Sequence, residues 1–541
     1  MYKKMRRFRA SILILYCCMT GAITTRPNIV FIIADDMGWD DVSFHGSDQI
    51  PTPNIDLLAY SGVALERYYS HCLCTPSRSA LLTGKYSHVT GMQGYPLTNS
   101  EDRGLPLTEK ILPEYFKELG YDTHLVGKWH VGLSRPEYLP TNRGFDSHFG
   151  HRGGYVDYYE YVLTEQLGDE VLSGMDLFKN MTQAWDVEGY ITDVYTQEAK
   201  TVIKNHNVSR PLFLMVGHNA PHAGNEVSDL QAPPDYVRSM RHIESPQRRI
   251  YAAMVKKLDE SVGDIVSALQ EKGILNDTII VFVSDNGGMT SGSVQNFASN
   301  RPLRGLKFTP FEGGNRVIGL IWNKNLTEGN HLWKGYIHVS DWLPTLLNAV
   351  GVNSPENIDG VNLWENIVAN KESKRNTLFE IDDMAGFASI IHGDYKLITG
   401  EVITENSNHQ GERVTGLITK PPNYIKELEN SKMYTVLKDV GINFEFNNME
   451  LRNNIKISCH DKNRKELCYP DKDKLCLFNI KDDPCEYEDI SAQNPDIVEK
   501  FYHMLQNELM RLKPRPSMTR DIRSHPRLHN YTWNTWMDAV Q

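Results

Sequence analysis

The short pattern in this chain that is best suited to covalent chemistry is Cys74-Thr75-Pro76-Ser77-Arg78. It follows a predicted strand, Ala64 to Tyr69, and leads into a predicted helix, Ser77 to Thr83. The cysteine therefore comes at a helix N-terminus, where the helix dipole favours negative charge. Arg78 lies about one helical turn after Cys74 and so beside it. The pattern predicts an anion site made of a cysteine-derived group, a helix N-terminus and a guanidinium. A disulfide cysteine or a buried free thiol is the alternative.

Two pairs of oxygen-bearing residues come directly after apolar runs. Asn28 to Ala34 and Thr278 to Ser284 are typical of strands buried on both faces of a parallel sheet. The first is followed by Asp35-Asp36 and the second by Asp285-Asn286. Acids at a buried strand end are costly without a cation, and four oxygen ligands suit Ca²⁺ once a substrate oxygen is added. The two strand ends predict a Ca²⁺ or Mg²⁺ site. For the first pair alone, capping by one aspartate is the alternative.

Basic residues and histidines follow other predicted strands. The strand Tyr121 to Val126 leads to Lys128 and His130, and the strand Leu212 to Val216 leads to the loop that carries His218 and His222. A further loop carries Lys307 after Leu303-Arg304-Gly305-Leu306. For Lys128 or His130 alone, a surface lysine or a hydrogen-bonded core histidine is the commoner interpretation.

Strands and helices alternate along most of the chain, which predicts a doubly wound α/β fold, mostly parallel, with its site at the carboxyl ends of the strands. The alternating pattern of predicted strands and helices changes beyond about Asp383. A hairpin is predicted around His392-Gly393-Asp394, and a polar stretch, Glu401 to Ser458, lacks a clear period except near Lys426 to Val440. We divide the chain into a signal peptide (1–22), a catalytic α/β domain (23–385) and a smaller C-terminal α+β subdomain (386–541). The subdomain has antiparallel strands, the polar insertion and a terminal helix.

The N-terminus has the pattern of a signal peptide. Basic residues within positions 3–9 precede a short apolar run, Ala10 to Met19, and the small residues Thr20-Gly21-Ala22. The run is short for a membrane span, so we predict cleavage rather than an anchor, and no stable membrane span. Cleavage takes the net charge from −11 to −16, because 57 Lys and Arg fall to 52 against 68 Asp and Glu. This acidity argues against a nucleic-acid partner, although a local cluster of cations can still bind an anion.

A secreted chain makes glycans and disulfides plausible. N-x-[ST] sequons occur at Asn180, Asn207, Asn276, Asn325 and Asn530. Four cysteines cluster near the C-terminus, at Cys459, Cys468, Cys476 and Cys485, and predict two local disulfides with three possible pairings. Cys72 and Cys74 are too close in sequence for an easy bridge to each other. These features predict the secretory pathway, with an extracellular or lysosomal destination.

Five motifs together resemble the sulfatase family, most closely its arylsulfatase B-like (N-acetylgalactosamine-4-sulfatase-like) group. The similarity runs from about Pro27 to Ser491 and is weakest between Glu401 and Cys459. The motifs are ADDMGWDDVSFHG at 34–46, CTPSRSALLTG at 74–84, GKWHVG at 127–132, SDNGG at 284–288 and PLRGLKFTPFEGG at 302–314. The resemblance implies an alkaline-phosphatase-like doubly wound sheet and hydrolysis of sulfate esters.

The resemblance also implies residue roles. A formylglycine-generating enzyme would oxidise Cys74 to formylglycine (3-oxoalanine), whose hydrate offers one hydroxyl to attack sulfur and a second to expel sulfate. By the same resemblance, Asp35, Asp36, Asp285 and Asn286 would bind Ca²⁺, with oxidised Cys74 near the ion. Arg78 would orient the formylglycine, and His130 would act as the base. The sulfate and the leaving group would be bound by Lys128, His222 and Lys307. His222 fits the family loop better than His218.

The run Glu380-Ile381-Asp382-Asp383 stands where the lysosomal relative has a histidine in its sugar-binding rim. The predicted substrate is therefore either a sulfated sugar or a small sulfated metabolite. A phosphatase or phosphodiesterase of the same superfamily is the alternative, but such enzymes usually have Thr or Ser as nucleophile and two transition metals with more histidine ligands. A non-enzymatic calcium-binding glycoprotein is a third possibility. Every catalytic position matched to the family is occupied in this chain, which argues against it.

Overall fold

A computed structural model describes residues 26–225, 229–292, 294–329, 331–402, 407–411, 418–444, 446, 450–459, 467–515 and 519–537. The predicted signal peptide, residues 1–22, lies outside these ranges. No helix within them is both long and apolar enough to cross a membrane.

The strands are β1 (Asn28–Ala34), β2 (Val63–Tyr69), β3 (Asp122–Gly127), β4 (Ser147–Gly150), β5 (Val162–Leu167), β6 (Glu170–Met175), β7 (Phe178–Lys179), β8 (Thr182–Gln183), β9 (Leu212–Gly217), β10 (Thr278–Ser284), β11 (Gly319–Trp322), β12 (His331–His338), β13 (Thr377–Asp382), β14 (Phe387–His392), β15 (Tyr395–Gly400) and β16 (Cys476–Asn479). The α-helices are α1 (Pro53–Ser61), α2 (Cys74–Thr83), α3 (Ser87–Thr90), α4 (Leu112–Glu118), α5 (Ile191–Asn205), α6 (Pro234–Ser239), α7 (Pro246–Lys272), α8 (Glu312–Asn315), α9 (Trp342–Ala349), α10 (Trp364–Val368), α11 (Tyr424–Glu429), α12 (Lys432–Asp439), α13 (Glu450–Ile455) and α14 (Pro495–Leu509).

Ten strands form the main sheet, in the order β12-β2-β11-β10-β1-β9-β3-β4-β7-β8. The centre is parallel: β1 pairs with β10 on one side and with β9 on the other, and β9 pairs with β3. β11 runs antiparallel between β10 and β2, and β7 is antiparallel to β4. The predicted doubly wound, mostly parallel sheet is confirmed.

Helices cover both faces of this sheet. Along β1, Val30 and Ile32 pack in a core that includes residues of α1, α5 and α7. The alternate residues Ile29 and Phe31 pack in a second core with residues of α2, α4 and α9. Because successive strand side chains point to opposite faces, β1 contributes to both cores. This explains why its sequence is continuously apolar rather than alternating.

A second, antiparallel sheet has the order β13-β14-β15-β16 and packs against α14 through a small core. The pairs Cys468–Cys476 and Cys459–Cys485 form disulfides there, which selects one of the three pairings left open by the sequence. β13 pairs with β14, so the sheet begins before residue 386. The division of the chain at residues 385 and 386 stays a prediction.

The polar stretch contains helices that pack on the main domain. α11 and α12 fall close to the one segment with a discernible period, and both contact α1 or α7. Tyr424, at the start of α11, donates a hydrogen bond to the buried Asp56 carboxylate over 2.7 Å. The polar stretch is thus held against the helices of the main sheet by a polar contact as well as by apolar packing.

Several element boundaries differ from the sequence prediction. The sequence predicts a helix over Asn54 to Tyr60 with Asn54 as a possible N-cap, whereas α1 begins at Pro53 after Thr52, because proline suits the first helical turn. The sequence predicts an amphipathic helix over Thr108 to Leu119, whereas α4 begins at Leu112, next to Pro113, four residues later. α2 begins at Cys74 instead of Ser77, which makes the cysteine the first residue of the helix.

Candidate active site

The two pairs of acids and amides meet at the carboxyl edge of the sheet. β1 and β10 are parallel neighbours in register, with Ala34 opposite Ser284, so the residues after each strand lie side by side. The Asn286 side-chain amide donates to Asp36 Oδ1 over 2.7 Å, and the Asp36 N–H donates to Asp285 Oδ1 over 3.3 Å. Asp36 has a φ of 61°, a left-handed conformation that is uncommon outside glycine.

The oxygen atoms of this cluster fit a hard cation. Asp35 Oδ1 and Asn286 Oδ1 are buried and have no hydrogen-bond partner among the described residues. Ligand atoms of Asp35, Asp36 and His222 lie within 4.8 Å of one another. Buried, unpartnered carboxylate and amide oxygens are the donors that Ca²⁺ prefers. The donor set would therefore hold Ca²⁺ better than a softer transition metal.

Three buried cations face the three buried carboxylates. Lys128 Nζ lies 2.6 Å from Asp35 Oδ2, and Lys307 Nζ lies 2.8 Å from Asp36. Arg78 donates from Nε to Asp285 Oδ2 over 3.0 Å, with a second nitrogen at 2.9 Å.

The charges shift the pKa values of this cluster. Burial alone would raise the pKa of Asp36, but Lys307 and His222 lower it below its ordinary value. Burial would lower the pKa of Lys307, but Asp36 raises it. The six charges balance, so an added divalent cation would leave the site positive. A positive site attracts an anionic substrate.

Cys74 lies at the N-terminus of α2, beside these charges. Its side chain is only 2% exposed, and its sulfur is free. Burial raises the pKa of the Cys74 thiol, while Lys128 and Lys307 lower it in part. An unmodified Cys74 is therefore mostly protonated and a weak nucleophile.

The neighbouring Cys72 has a different environment. Its Sγ lies 3.4 Å from Glu380 Oε1, and the other oxygen of Glu380 lies 2.6 Å from His71 Nδ1. Asp382 is also buried, and its carboxylate accepts two backbone N–H groups. Glu380 and Asp382 are thus buried and engaged within the protein, whereas Asp383 is exposed.

The loop after β3 carries Lys128 and His130. Gly127 has a φ of 99°, and a Cβ there would lie 1.9 Å from the Gly217 carbonyl oxygen, so only glycine fits. His130 Nε2 lies 2.9 Å from the Leu97 carbonyl, which only accepts; Nε2 therefore carries the proton and Nδ1 the lone pair. Burial, followed by Lys128, holds the pKa of His130 well below its ordinary value. His130 is thus neutral, with an Nδ1 that has no hydrogen-bond partner among the described residues.

The two histidines after β9 have different surroundings. His222 Nε2 lies 3.2 Å from Lys307 Nζ and 3.5 Å from Asp36 Oδ2. His218 Nε2 instead lies 3.1 Å from the hydroxyl of Ser261 on α7, inside the core. The structure therefore brings His222 to the acid and lysine cluster, and His218 lies behind it.

All ten candidate residues converge on this edge of the sheet. Sequence reasoning missed the groups that hold them. The Tyr155 ring stacks on His222 with centroids 5.5 Å apart, and the Asn296 amide donates to the Asp36 carbonyl over 2.9 Å. The glycine-rich segment before Tyr155 was a usable signal. The Leu97 carbonyl that sets the tautomer of His130 left no signal in the sequence, because every residue carries a backbone carbonyl.

The family of the chain follows from comparison with known proteins. The family model described as sulfatase matches residues 27–352. The chain is 36% identical over 520 residues to arylsulfatase J of Mus musculus, covering 95% of this chain and 81% of that protein. It is 32% identical over 355 residues to N-acetylgalactosamine-6-sulfatase of Homo sapiens, covering 62% of this chain and 65% of that protein.

Solved structures share the fold. The crystal structure of Ps i-CgsB has a TM-score of 0.70 and 28% identity, covering 94% of this chain and 98% of that one. The PsFucS1 sulfatase from Pseudoalteromonas sp. has a TM-score of 0.64 at 23% identity, covering 91% and 92%, and supports the fold alone.

The chain belongs to the sulfatase family, as the motifs predicted. It is a sulfuric ester hydrolase. The narrower arylsulfatase B-like assignment stays a prediction.

Proposed function

We propose that this protein hydrolyses sulfate esters of sugars, using a formylglycine formed from Cys74 and a bound Ca²⁺. The observation that carries the proposal is the pair of buried oxygens of Asp35 and Asn286, which have no hydrogen-bond partner in the described part of the chain, beside three buried cations. Formation of the formylglycine requires the formylglycine-generating enzyme and an external oxidant, because the Cβ of Cys74 becomes an aldehyde and its sulfur leaves. The hydrated aldehyde supplies two hydroxyls on one carbon, and Ca²⁺ supplies positive charge, held by Asp35, Asp36, Asp285 and Asn286.

The chain's own cations would bind the sulfate group. Lys128 and Lys307 each present an ammonium group in a buried site, where charge stabilisation is stronger than in water. Arg78 is held by its two contacts to Asp285 and so keeps a fixed position beside residue 74. Such preorganised donors stabilise the charge that builds up on sulfate oxygens in the transition state.

The two histidines would move protons. His222 donates from Nδ1 to the Ala223 carbonyl at 2.6 Å, which leaves Nε2 directed toward Lys307 and able to exchange a proton with the leaving oxygen. His130 keeps the lone pair on Nδ1 because its Nε2 proton goes to Leu97. Because the imidazole is neutral, this lone pair can accept a proton as a general base.

The substrate class is inferred from relatives. One is named N-acetylgalactosamine-6-sulfatase, and Ps i-CgsB has been solved in complex with k-i-k-neocarrahexaose, at 27% identity and a TM-score of 0.68. The secretory pathway is proposed from the signal-peptide pattern and from the sequons, since Asn180, Asn207 and the other three asparagines are all exposed. A small sulfated metabolite remains a second candidate substrate.

A phosphatase or phosphodiesterase would need a different site. The metal-binding group near Cys74 among the described residues is Asp35, Asp36 and His222, with one histidine. Two transition metals would need more nitrogen ligands than this. The ligand chemistry thus supports sulfate-ester hydrolysis over phosphate-ester hydrolysis.

The test is a sulfate-release assay on sulfated N-acetylgalactosamine and on aryl sulfate, with aryl phosphate as the competing substrate. We expect sulfate release by the wild type, and its loss in Cys74→Ser, because a serine has one hydroxyl and cannot expel the sulfate it takes up. Cys72→Ser is the matched control and should keep activity, since serine can also donate to Glu380. Equal turnover by wild type and Cys74→Ser, or preference for the phosphate, would reject the proposal.

A further inference from the structure

An aromatic path leads from the candidate sulfate-binding lysine to the surface. Lys307, 2% exposed, has its Nζ 5.8 Å from the centroid of the Phe308 ring. The Phe308 ring is partly buried, and its centroid lies 5.8 Å from that of Tyr95, with an angle of 31° between the rings. Tyr95 is 49% exposed. The path therefore begins at a buried lysine of the candidate site and ends at a tyrosine that is about half exposed.

The backbone on each side of this path is held in place. Arg103 donates to the Tyr95 carbonyl over 3.2 Å and is itself paired with Glu101 at 3.1 Å. Before Tyr95, Gly94 has a φ of 76°, and a Cβ there would lie 2.5 Å from a guanidinium nitrogen of Arg515. Tyr95 is thus an exposed aromatic on a constrained backbone. An exposed ring held in this way is prepared for contact at little entropic cost.

Phe308 is held as well. Its N–H donates to the Cys72 carbonyl over 3.1 Å, two residues before Cys74. Its φ of 75° is uncommon for a bulky residue and places strain at this point of the chain. Backbone strain of this kind persists only where surrounding contacts fix it, and it clusters at functional sites.

The segment that carries Tyr95 also contacts the catalytic residues. Leu97, two residues on, donates its N–H to the Thr75 hydroxyl over 3.1 Å and accepts from His130 at 2.9 Å. One ring of the pair therefore belongs to the segment that orients His130, and the other follows Lys307. Both segments contact residues at or just before the N-terminus of α2, Thr75 and Cys72, and they meet through these rings.

We propose that Tyr95 and Phe308 form a stacking platform for the sugar ring that carries the sulfate ester. The inference rests on the proposed function and names the part of the site that selects its substrate. A pyranose presents an apolar face of C–H groups, which an aromatic ring can cover while the sulfate reaches the cations. The platform would set the orientation of the sugar and would not take part in proton transfer.

The experiment compares Tyr95→Ala with Tyr95→Phe, which keeps the ring and removes the hydroxyl. The substrate is N-acetylgalactosamine sulfate, and methyl sulfate is the ring-free competitor. We expect kcat/KM for the sugar to fall about tenfold in Tyr95→Ala, mainly through KM, on the scale of one aromatic contact. Inhibition by methyl sulfate should not change, because it reaches only the cations. Tyr502→Ala, at an exposed tyrosine on α14, is the matched surface control.

The outcomes separate this inference from the proposed function. If the wild type hydrolyses the sugar sulfate and Tyr95→Ala retains its kcat/KM, the platform is overturned while the function stands. An equal loss with methyl sulfate would also overturn it, because the change would then act on the anion pocket. If the wild type releases no sulfate, calorimetric binding of the same sugar decides. Weaker binding by Tyr95→Ala supports the platform, and equal binding overturns it.

Discussion

The loop after β9 carries two histidines, of which one contacts the candidate site and the other contacts the core behind it. His222 reaches Lys307 and Asp36, whereas His218 bonds Ser261 in the core. Burial lowers the pKa of His218 to about 3, consistent with a neutral structural residue. Because both histidines follow the same strand, their positions in the sequence could favour His222 as the site residue but could not exclude His218.

We expect His222→Gln to lower kcat by roughly a hundredfold or more, the usual scale for losing a positioned proton donor. His218→Gln should instead lower the melting temperature and leave kcat of the folded protein near the wild-type value. Steady-state kinetics and thermal melts on both variants make the comparison. A larger loss of kcat in His218→Gln than in His222→Gln would reverse the assignment.

At the scale of elements, strand positions were predictable and helix ends were not. β1, β9 and β10 are buried on both faces, so their continuous apolar sequences identified them. The helix ends depend on proline and capping geometry, as in α1 and α4, which a hydrophobic period does not report. The structure of the polar insertion was not predictable from its own sequence. Its helix α11 is held in part by the hydrogen bond between Tyr424 and Asp56, a partner 368 residues away.

The contact between α11 and α1 gives a pH-dependent prediction. Burial raises the pKa of Asp56 to about 6 from its ordinary 3.8, and the Tyr424 hydrogen bond limits that rise. A raised carboxyl pKa means that stability is greatest below the ordinary pKa and is lost as the pH rises through the folded value. Tyr424→Phe removes the hydrogen bond and raises the pKa further. Its melting temperature should therefore fall more, relative to the wild type, at about pH 8 than at about pH 5.

The control for this prediction is Tyr434→Phe on α12, a tyrosine whose ring contacts Phe446. The nearby Asp259 also has a raised pKa, to about 8, but it is present in every variant, so the comparison between variants isolates Asp56. Equal destabilisation by Tyr424→Phe at both pH values would contradict the account of this contact.

At the scale of the whole molecule, the site joins the ends of two strands that are far apart in sequence. Asp36 and Asp285 are separated by 249 residues and are adjacent because β1 and β10 pair. The residue types and their position after buried strands were enough to predict the cluster. Partners that orient it through backbone atoms, such as the Leu97 carbonyl that contacts His130, depend on tertiary packing and were not predictable.

A cation held by both strand ends should stabilise the whole fold. We expect the melting temperature to fall on dialysis against a calcium chelator and to recover with Ca²⁺, with about 2.7 kcal/mol of stabilisation when Ca²⁺ is at a hundred times its Kd. Asp35→Asn should weaken this response, because one charged ligand is lost. Asp40→Asn, at a carboxylate bonded to Ser299, is the control that should retain it. Identical melting curves with and without Ca²⁺ would contradict the predicted ion.

Mass spectrometry of the tryptic peptide Tyr68 to Arg78, from protein secreted by eukaryotic cells, tests the central claim most directly. The peptide contains both Cys72 and Cys74, so each molecule carries its own control. We predict an aldehyde in place of the thiol at Cys74, at the start of α2, and an unchanged thiol at Cys72, which is bonded to Glu380. A protein that releases sulfate while Cys74 remains an unmodified cysteine would contradict the account.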